Sequence, residues 1–485
     1  MIPVPEFVLL KSGEKRSHSS VDYLSELPQE IIVYILSLLK IKEAGRPSVL
    51  SSRWRYLWRY TCGLNFDESK LMSQIRWRKV RIECMEAERR RFFRLVKHVM
   101  EMHQSQTIDE FKVCFEVYQL GYFKSDIETW VHFSLKKKVK RLTLDFENAT
   151  IIGITLGNYT LTTQFLHRYS IHSLTSLCLT AVEVTGLVLE YILSKCPFLE
   201  VLHVEISESL VNLKVAGPSL KLKRLEILRC VYLESLEISA MNLVSFKYRG
   251  PEITKIVLEH VPNFVDLSLA CHYACFFVNH SSQFSSCLSQ LKTLELDLGV
   301  EISMIINTIL CLVNPVLKFF RFPRFPELTN LRQLKLRVNA RDVETLLHCT
   351  SLLKASPFLE KFSLQLLFSN GAATGKMKVR KAKHPHQCLK VVEVTGFIGC
   401  TVDMELSLYV LNNAAYLEKL VIDSRYSFEE EIKWLDRGCA QRLQDMIFCP
   451  QLDARIRDTG EKSAAIACAR QLETRLPPGV ELVIL

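Results

Sequence analysis

A Leu-x-x-Leu-x-Leu pattern recurs along most of this chain behind two short amphipathic segments. Together they predict an α/β solenoid: a small all-α module, then stacked repeats with parallel strands on the concave face. Size agrees with that reading. At 485 residues the chain exceeds what one hydrophobic core supports, so it forms several domains or one elongated array. Apolar residues make up 48% and charged residues 24%, with 17 Gly and 16 Pro, a composition that folds rather than staying disordered.

The first helix is expected in LSELPQEIIVYILSLL, from Leu24 onward. Leu27, Ile31, Ile35 and Leu38 or Leu39 fall three to four residues apart and form one apolar stripe. Pro28 suits the first helical position, and Glu30 complements the positive end of the helix dipole. After residues 41–47, the run SVLSSRWRYLW places Leu50, Trp54, Leu57 and Trp58 on a second helical face, with Arg53, Arg55 and Arg59 around it. In between stands Ala44-Gly45-Arg46-Pro47. Glycine costs about 1 kcal/mol and interior proline about 3 kcal/mol relative to alanine in a helix, so a short or kinked middle helix is expected.

The repeat triplets are Val139-Leu142-Leu144, Leu174-Leu177-Leu179, Leu199-Leu202-Val204, Leu222-Leu225-Ile227, Phe264-Leu267-Leu269 and Leu291-Leu294-Leu296. They continue at Leu331-Leu334-Leu336, Leu359-Phe362-Leu364, Leu389-Val392-Val394 and Leu417-Leu420-Ile422, and a weaker copy, Ile108-Phe111-Val113, is the expected start. Each copy is a short strand whose alternate residues face inward, one per turn of a leucine-rich repeat array. Leu210-Leu213-Val215, Leu233-Leu236-Ile238, Leu243-Phe246-Tyr248 and Ile253-Ile256-Leu258 add a half-step, so the convex side there is also expected to be extended. Elsewhere helices return the chain, at residues 184–193, 301–312 and 342–353. Recognition falls to the non-leucine strand positions and the loops, because the leucines are core.

The formal charge is +10, and between Arg76 and Lys97 nine Lys or Arg stand against three Glu. An amphipathic helix accounts for this run, with Val80, Cys84, Ala87, Leu95, Val96 and Val99 on its apolar face. Nucleic acid is therefore not the expected partner, although a basic patch binding phosphates would announce itself by steep salt dependence. A second run, KMKVRKAK at residues 376–383, fits a nuclear-import signal or a solvated loop equally well.

Leu-Pro-x-Glu-Ile, the Ile-Leu-Ser-Leu-Leu run and Ser-Val-Leu-Ser-x-Arg-Trp-Arg-x-Leu-Trp resemble the F-box family in its plant form. Residues 90–115 and 130–146 are similar to the segments that follow the F-box in plant F-box proteins with leucine-rich repeats. Phe397-Ile-Gly-Cys, Glu405-Leu406, Leu411-Asn412-Asn413-Ala414 and Leu417-Glu418-Lys419-Leu420 resemble the FBD module of that same family. The resemblance implies a substrate-recognition subunit of an SCF (cullin-RING) ubiquitin ligase. It would dock a Skp-type adaptor, and through it cullin, by Leu27, Pro28, Ile31, Ile35, Leu39, Val49, Leu50, Trp54 and Trp58, leaving the repeats to hold a protein substrate. The departure at Gly45 and Pro47 opens an alternative, a repeat-based binding scaffold whose F-box has decayed.

The resulting layout is a flexible segment at 1–20, the F-box at 21–62, a basic helical linker at 63–107 and the repeat solenoid at 108–384. FBD-like terminal repeats follow at 385–450, and a helix plus a final strand form a cap at 451–485. No phosphate loop, nucleophile elbow or metalloprotease motif occurs, so an enzyme is not expected, nor is a cofactor. The 16 cysteines lack any Cys-x-x-Cys pair and read as reduced core residues; Cys271, His272 and Cys275 form only half of a metal-ligand set. The first residues lack an export signal, and the most apolar window, 302–317, is interrupted by Asn307, Asn314 and Pro315. No membrane span is expected, and residence in the nucleus, the cytoplasm or both follows.

Overall fold

The computed structural model describes residues 26–49, 53–68, 82–115, 123–146, 159–217, 219–251, 254–298, 325–339, 350–367, 385–424 and 459–485. Leu50, Val80, the runs 302–317 and 376–383, and the helix expected at 301–312 lie outside them.

Helix α1, Gln29–Ser37, starts one residue after Pro28, whose carbonyl accepts from the amides of Ile31 (3.1 Å) and Ile32 (3.2 Å). Helix α2, Ile41–Gly45, stops at the glycine, and a 3-10 turn, Arg46–Val49, carries the chain past Pro47. The short middle helix is thus observed. Where a second full helix was expected, residues 53–56 form a turn and Leu57–Tyr60 another 3-10 turn. A 3-10 turn rotates successive side chains by about 120°, so Leu57 enters the module's core while its neighbour Trp58 packs against the array.

Among the described residues one parallel sheet of 14 strands follows. It begins with β1 (Gly63–Asp67), β2 (Glu110–Cys114) and β3 (Arg141–Asp145). A two-residue strand, β4 (Tyr159–Thr160), then pairs outside the main sheet with β6 (Val182–Glu183), and β5 is Ser176–Thr180. The main sheet continues through β7 (Val201–Glu205), β9 (Arg224–Leu228), β11 (Ser245–Arg249), β13 (Asp266–Ala270) and β14 (Thr293–Asp297). It finishes with β15 (Gln333–Asn339), β16 (Lys361–Leu367), β17 (Val391–Thr395), β18 (Lys419–Asp423) and β19 (Glu481–Ile484).

The register is in phase throughout: Leu142, Leu177, Leu202, Leu225, Phe246, Leu267, Leu294, Leu334, Phe362, Val392 and Leu420 form one inward ladder. Because side chains alternate, the residues on either side of each rung face the concave surface. In the middle third, β8 (Asn212–Ala216), β10 (Ser235–Ser239) and β12 (Lys255–Glu259) form a second parallel sheet on the convex side, as the half-step pattern predicts. One triplet moves: Leu243-Phe246-Tyr248 belongs to β11 in the main sheet, because concave and convex strands alternate there with the same apolar signature.

The sheet also starts one turn before Ile108. Strand β1 pairs along its whole length with β2, so part of the expected linker is the first repeat. The basic helix forms as Ile82–Met102, and its inward face carries Arg89, Phe92, Val96 and Val99, whereas Ala87 is exposed. The C-terminal segment folds as the helix Thr459–Arg470 and strand β19, which closes the sheet against β18. Among the described residues no helix is long and apolar enough to cross a membrane.

Candidate docking and recognition surfaces

Helix α1 is apolar on two sides. Ile32 and Leu36 are fully buried with Ala44 and Leu57 in the small module's core, and Leu27, Val33, Leu39 and Trp54 pack against them. On the other side Ile31 is 45% exposed, Tyr34 64% and Leu38 67%, while Ile35 is half-buried. These three exposed apolar side chains lie three and four residues apart, which makes this side of the helix a candidate interaction face. Tyr34 went unnoticed in the sequence although it continues the Leu27, Ile31, Leu38 spacing.

Of the residues proposed for adaptor docking, Pro28 and Ile31 are exposed and Leu27, Ile35, Leu39 and Trp54 are half-buried. Val49 ends a 3-10 turn, and Trp58 turns inward to the array beside His98, with ring centroids 6.5 Å apart. Arg53 ties the later segment to the start of the helix by donating from Nη2 to the Leu27 carbonyl at 2.5 Å.

The small module is joined to the array by many contacts. The Ser37 hydroxyl donates to Val33 O (2.8 Å) and accepts from the Cys62 amide (2.9 Å). Lys40 donates to Asp67 O at 2.8 Å, and Lys42 pairs with Glu68 at 2.9 Å. His103 Nε2 donates to Thr61 O at 2.9 Å, and burial holds its pKa below the ordinary value. Ile41 and Trp58 belong to the array's core cluster rather than to the module's own.

The second surface is the concave face. A depression of about 490 Å³ runs over β7 to β17, between residues that include Glu205, Lys247, Ser268, Glu295, Lys335 and Glu393. At its edge His203 bridges two carboxylates, with Nδ1 2.8 Å from Glu226 and Nε2 3.4 Å from Glu205. Burial lowers the imidazole pKa, but the bonds to Glu205 and Glu226 outweigh it and raise the value to about 9. Burial likewise opposes the ionisation of Glu205, yet His203 and the Arg229 guanidinium, 2.9 Å away, hold it at about 2. The cluster is therefore an ion network at neutral pH, without a neutral imidazole to serve as a base.

Burial pushes the thiols of Cys178, Cys196 and Cys230 up to about 12 and that of Cys287 to about 11, which disfavours a nucleophilic thiolate. Among the described residues no group of three or more His, Cys, Asp or Glu side chains is placed to hold a metal. Cys275 and His272 ride half-buried on the helix Cys271–Asn279. The arrangement offers surfaces for binding.

A family model for the F-box domain matches residues 24–63, and one for the leucine-rich repeat domain of At1g61320/AtMIF1 matches residues 99–485. The chain belongs to the F-box/leucine-rich repeat family. It is 25% identical over 474 residues to the putative F-box/FBD/LRR-repeat protein At1g66300 of Arabidopsis thaliana, covering 88% of this chain and 94% of that one. Over 448 residues it is 24% identical to the F-box/FBD/LRR-repeat protein At5g53840 of the same plant, with 85% and 90% covered. A third relative there, F-box/FBD/LRR-repeat protein At1g13570, is 31% identical over 268 residues, 52% of this chain and 55% of its own. The matched relatives are named for an F-box and leucine-rich repeats, the two parts seen here as the small helical module and the parallel sheet.

Proposed function

We propose that this chain is the substrate-recognition subunit of an SCF-type ubiquitin ligase, docking a Skp-type adaptor, and through it cullin, by its F-box and a protein substrate by its repeats. The observation that carries the reading is the exposed stripe of Ile31, Tyr34 and Leu38 on a module joined firmly to the array. Apolar anchors of this kind supply most of the binding energy at an interface when a partner's groove excludes water around them. The chain itself performs no bond chemistry; it holds a substrate near ubiquitin-loaded enzyme and raises its effective concentration there. It acts in the nucleus, the cytoplasm or both.

Co-purification with a Skp-type adaptor tests the reading. Wild type is expected to capture it, while Ile31→Asp with Leu38→Asp, and Leu27→Ala with Pro28→Ala, lose it. No capture by wild type overturns the proposal.

The interruption of α2 at Gly45 favours a second reading, a binding scaffold whose F-box has decayed. A Cβ at Gly45 meets nothing within 4 Å, so a repaired chain with Gly45→Ala and Pro47→Ala has room for the change at the glycine. Adaptor capture by the repaired chain alone supports decay; equal capture by both chains supports the ligase subunit.

A further inference from the structure

The basic helix Ile82–Met102 turns outward a row of cations that neither the small module nor the repeats use. Arg90, Arg94 and Lys97 are exposed, while Phe92, Val96 and Val99 are buried against the array. At spacings of four and three residues the cations fall on one face, spread over about 10 Å of helix. Arg91 lies to the side and is already paired with Glu88 at 3.6 Å. Arg94 donates from Nε to Arg90 O at 3.2 Å, which holds its guanidinium over the helix and leaves both terminal amino groups to donate elsewhere. Lys97 acts on Asp126 of the helix Lys124–Lys136 through space, and among the described residues none of the three cations forms a salt bridge. Like charges three and four residues apart destabilise a helix, and none of the three stands in the last turn, where the dipole would favour a cation. The helix itself therefore gains nothing from the row, whose charges are left for an outside partner.

We propose that this row docks an acidic helix of a partner protein, running antiparallel, with carboxylates at positions i, i+3 and i+7 set against Lys97, Arg94 and Arg90. A facing helix has the same rise of about 1.5 Å per residue, so carboxylates at those spacings meet the three cations without distortion of either backbone. Arg90 and Arg94 each offer a planar fork that takes a carboxylate through two hydrogen bonds. A nucleic acid fits less well. Its phosphates continue past the row in both directions, where exposed Glu101 stands one turn beyond Lys97 and Glu88 sits beside Arg91 at the other end. His98, next to the row, meets Trp58 with ring centroids 6.5 Å apart, so the partner helix is held beside the small module. The proposal adds a second interaction surface and needs no ligase role.

The test uses the full chain and fluorescein-labelled, alanine-rich helical peptides of about 20 residues. One peptide carries Glu at i, i+3 and i+7, so that all three share a face. A second has the same composition with the three Glu spread around the helix, a third has Lys in place of Glu, and a uridine decamer represents nucleic acid. Fluorescence anisotropy at about 50 mM salt, where exposed charges are little screened, reads the binding. Wild type is expected to bind the one-face acidic peptide at least about fivefold more tightly than its scrambled isomer, and not to bind the Lys peptide. Arg90→Glu with Arg94→Glu and Lys97→Glu is expected to lose the acidic peptide and take the Lys peptide instead, an exchange that cannot come from a chain that has failed to fold. No binding of the one-face peptide, equal binding of the two acidic isomers, tighter binding of the uridine decamer, or a triple variant that keeps the acidic peptide each overturn the proposal. Adaptor capture by the same preparations reports separately on the ligase reading, which stands or falls without this result.

Discussion

The last residue of helix α1 and the first residue of the repeat sheet are in backbone contact: a Cβ on Gly63 would lie 2.4 Å from the Ser37 carbonyl oxygen. No side chain fits there, because the obstacle is main chain on both sides of the junction. Gly63→Ala is expected to push the F-box away from β1 and cost about 1–3 kcal/mol, the range of core overpacking. Calorimetry of the variant should show a lowered Tm. Gly45→Ala, with open space around the added methyl, should stabilise by up to about 1 kcal/mol.

The two apolar sides of α1 separate stability from docking. Ile32 is fully buried, so Ile32→Ala should cost about 2–5 kcal/mol in chemical denaturation. Ile31 is exposed, so Ile31→Ala should change stability by no more than about 0.5 kcal/mol. If the outward stripe is the docking face, adaptor affinity responds to Ile31→Ala with the fold intact. Equal loss of stability in both variants would mean that the two sides do not differ.

How much of this the chain declares depends on how local the signal is. The repeat strands are legible because Leu-x-x-Leu-x-Leu sets a period of two and a buried face, and the observed ladder uses those positions. The first turn is hidden because Thr61 stands where later turns have Ile108, Val139 or Leu174. Its side chain is buried all the same, with the hydroxyl donating to Trp58 O at 2.8 Å. The orientation of α1 is not legible, since a helix apolar on two sides gives no preference for either stripe. Contacts such as His203 to Glu226 require knowing that β7 and β9 are neighbours although β8 lies between them in sequence.

Thiol labelling checks the argument against cysteine catalysis. With burial holding the Cys196 and Cys230 thiols at about 12, neither should react with iodoacetamide at pH 8 in the folded chain. Both should label fully in denaturant. Mass spectrometry of the alkylated peptides reads the result, and rapid labelling of either site under native conditions would contradict the buried environments.

The His203 cluster makes stability depend on pH in a defined window. The fold raises the imidazole from the ordinary 6.5 to about 9, so it favours the protonated form. That contribution is complete below pH 6.5, declines from there to about pH 9 and is absent above it. Its upper size, from the shift, is about 3 kcal/mol. Glu205 behaves oppositely: lowered from 4.5 to about 2, it contributes fully above pH 4.5 and loses that contribution as pH falls to about 2. The cluster is thus most stabilising between pH 4.5 and 6.5. His203→Gln should be less stable than wild type at pH 6 and should lack the wild-type decline between pH 7 and 9. Part of the acid limb should persist, because Glu205 keeps Arg229 at 2.9 Å. Urea unfolding at a series of pH values measures this, and an alkaline decline equally steep in the variant would show that the imidazolium is not its source.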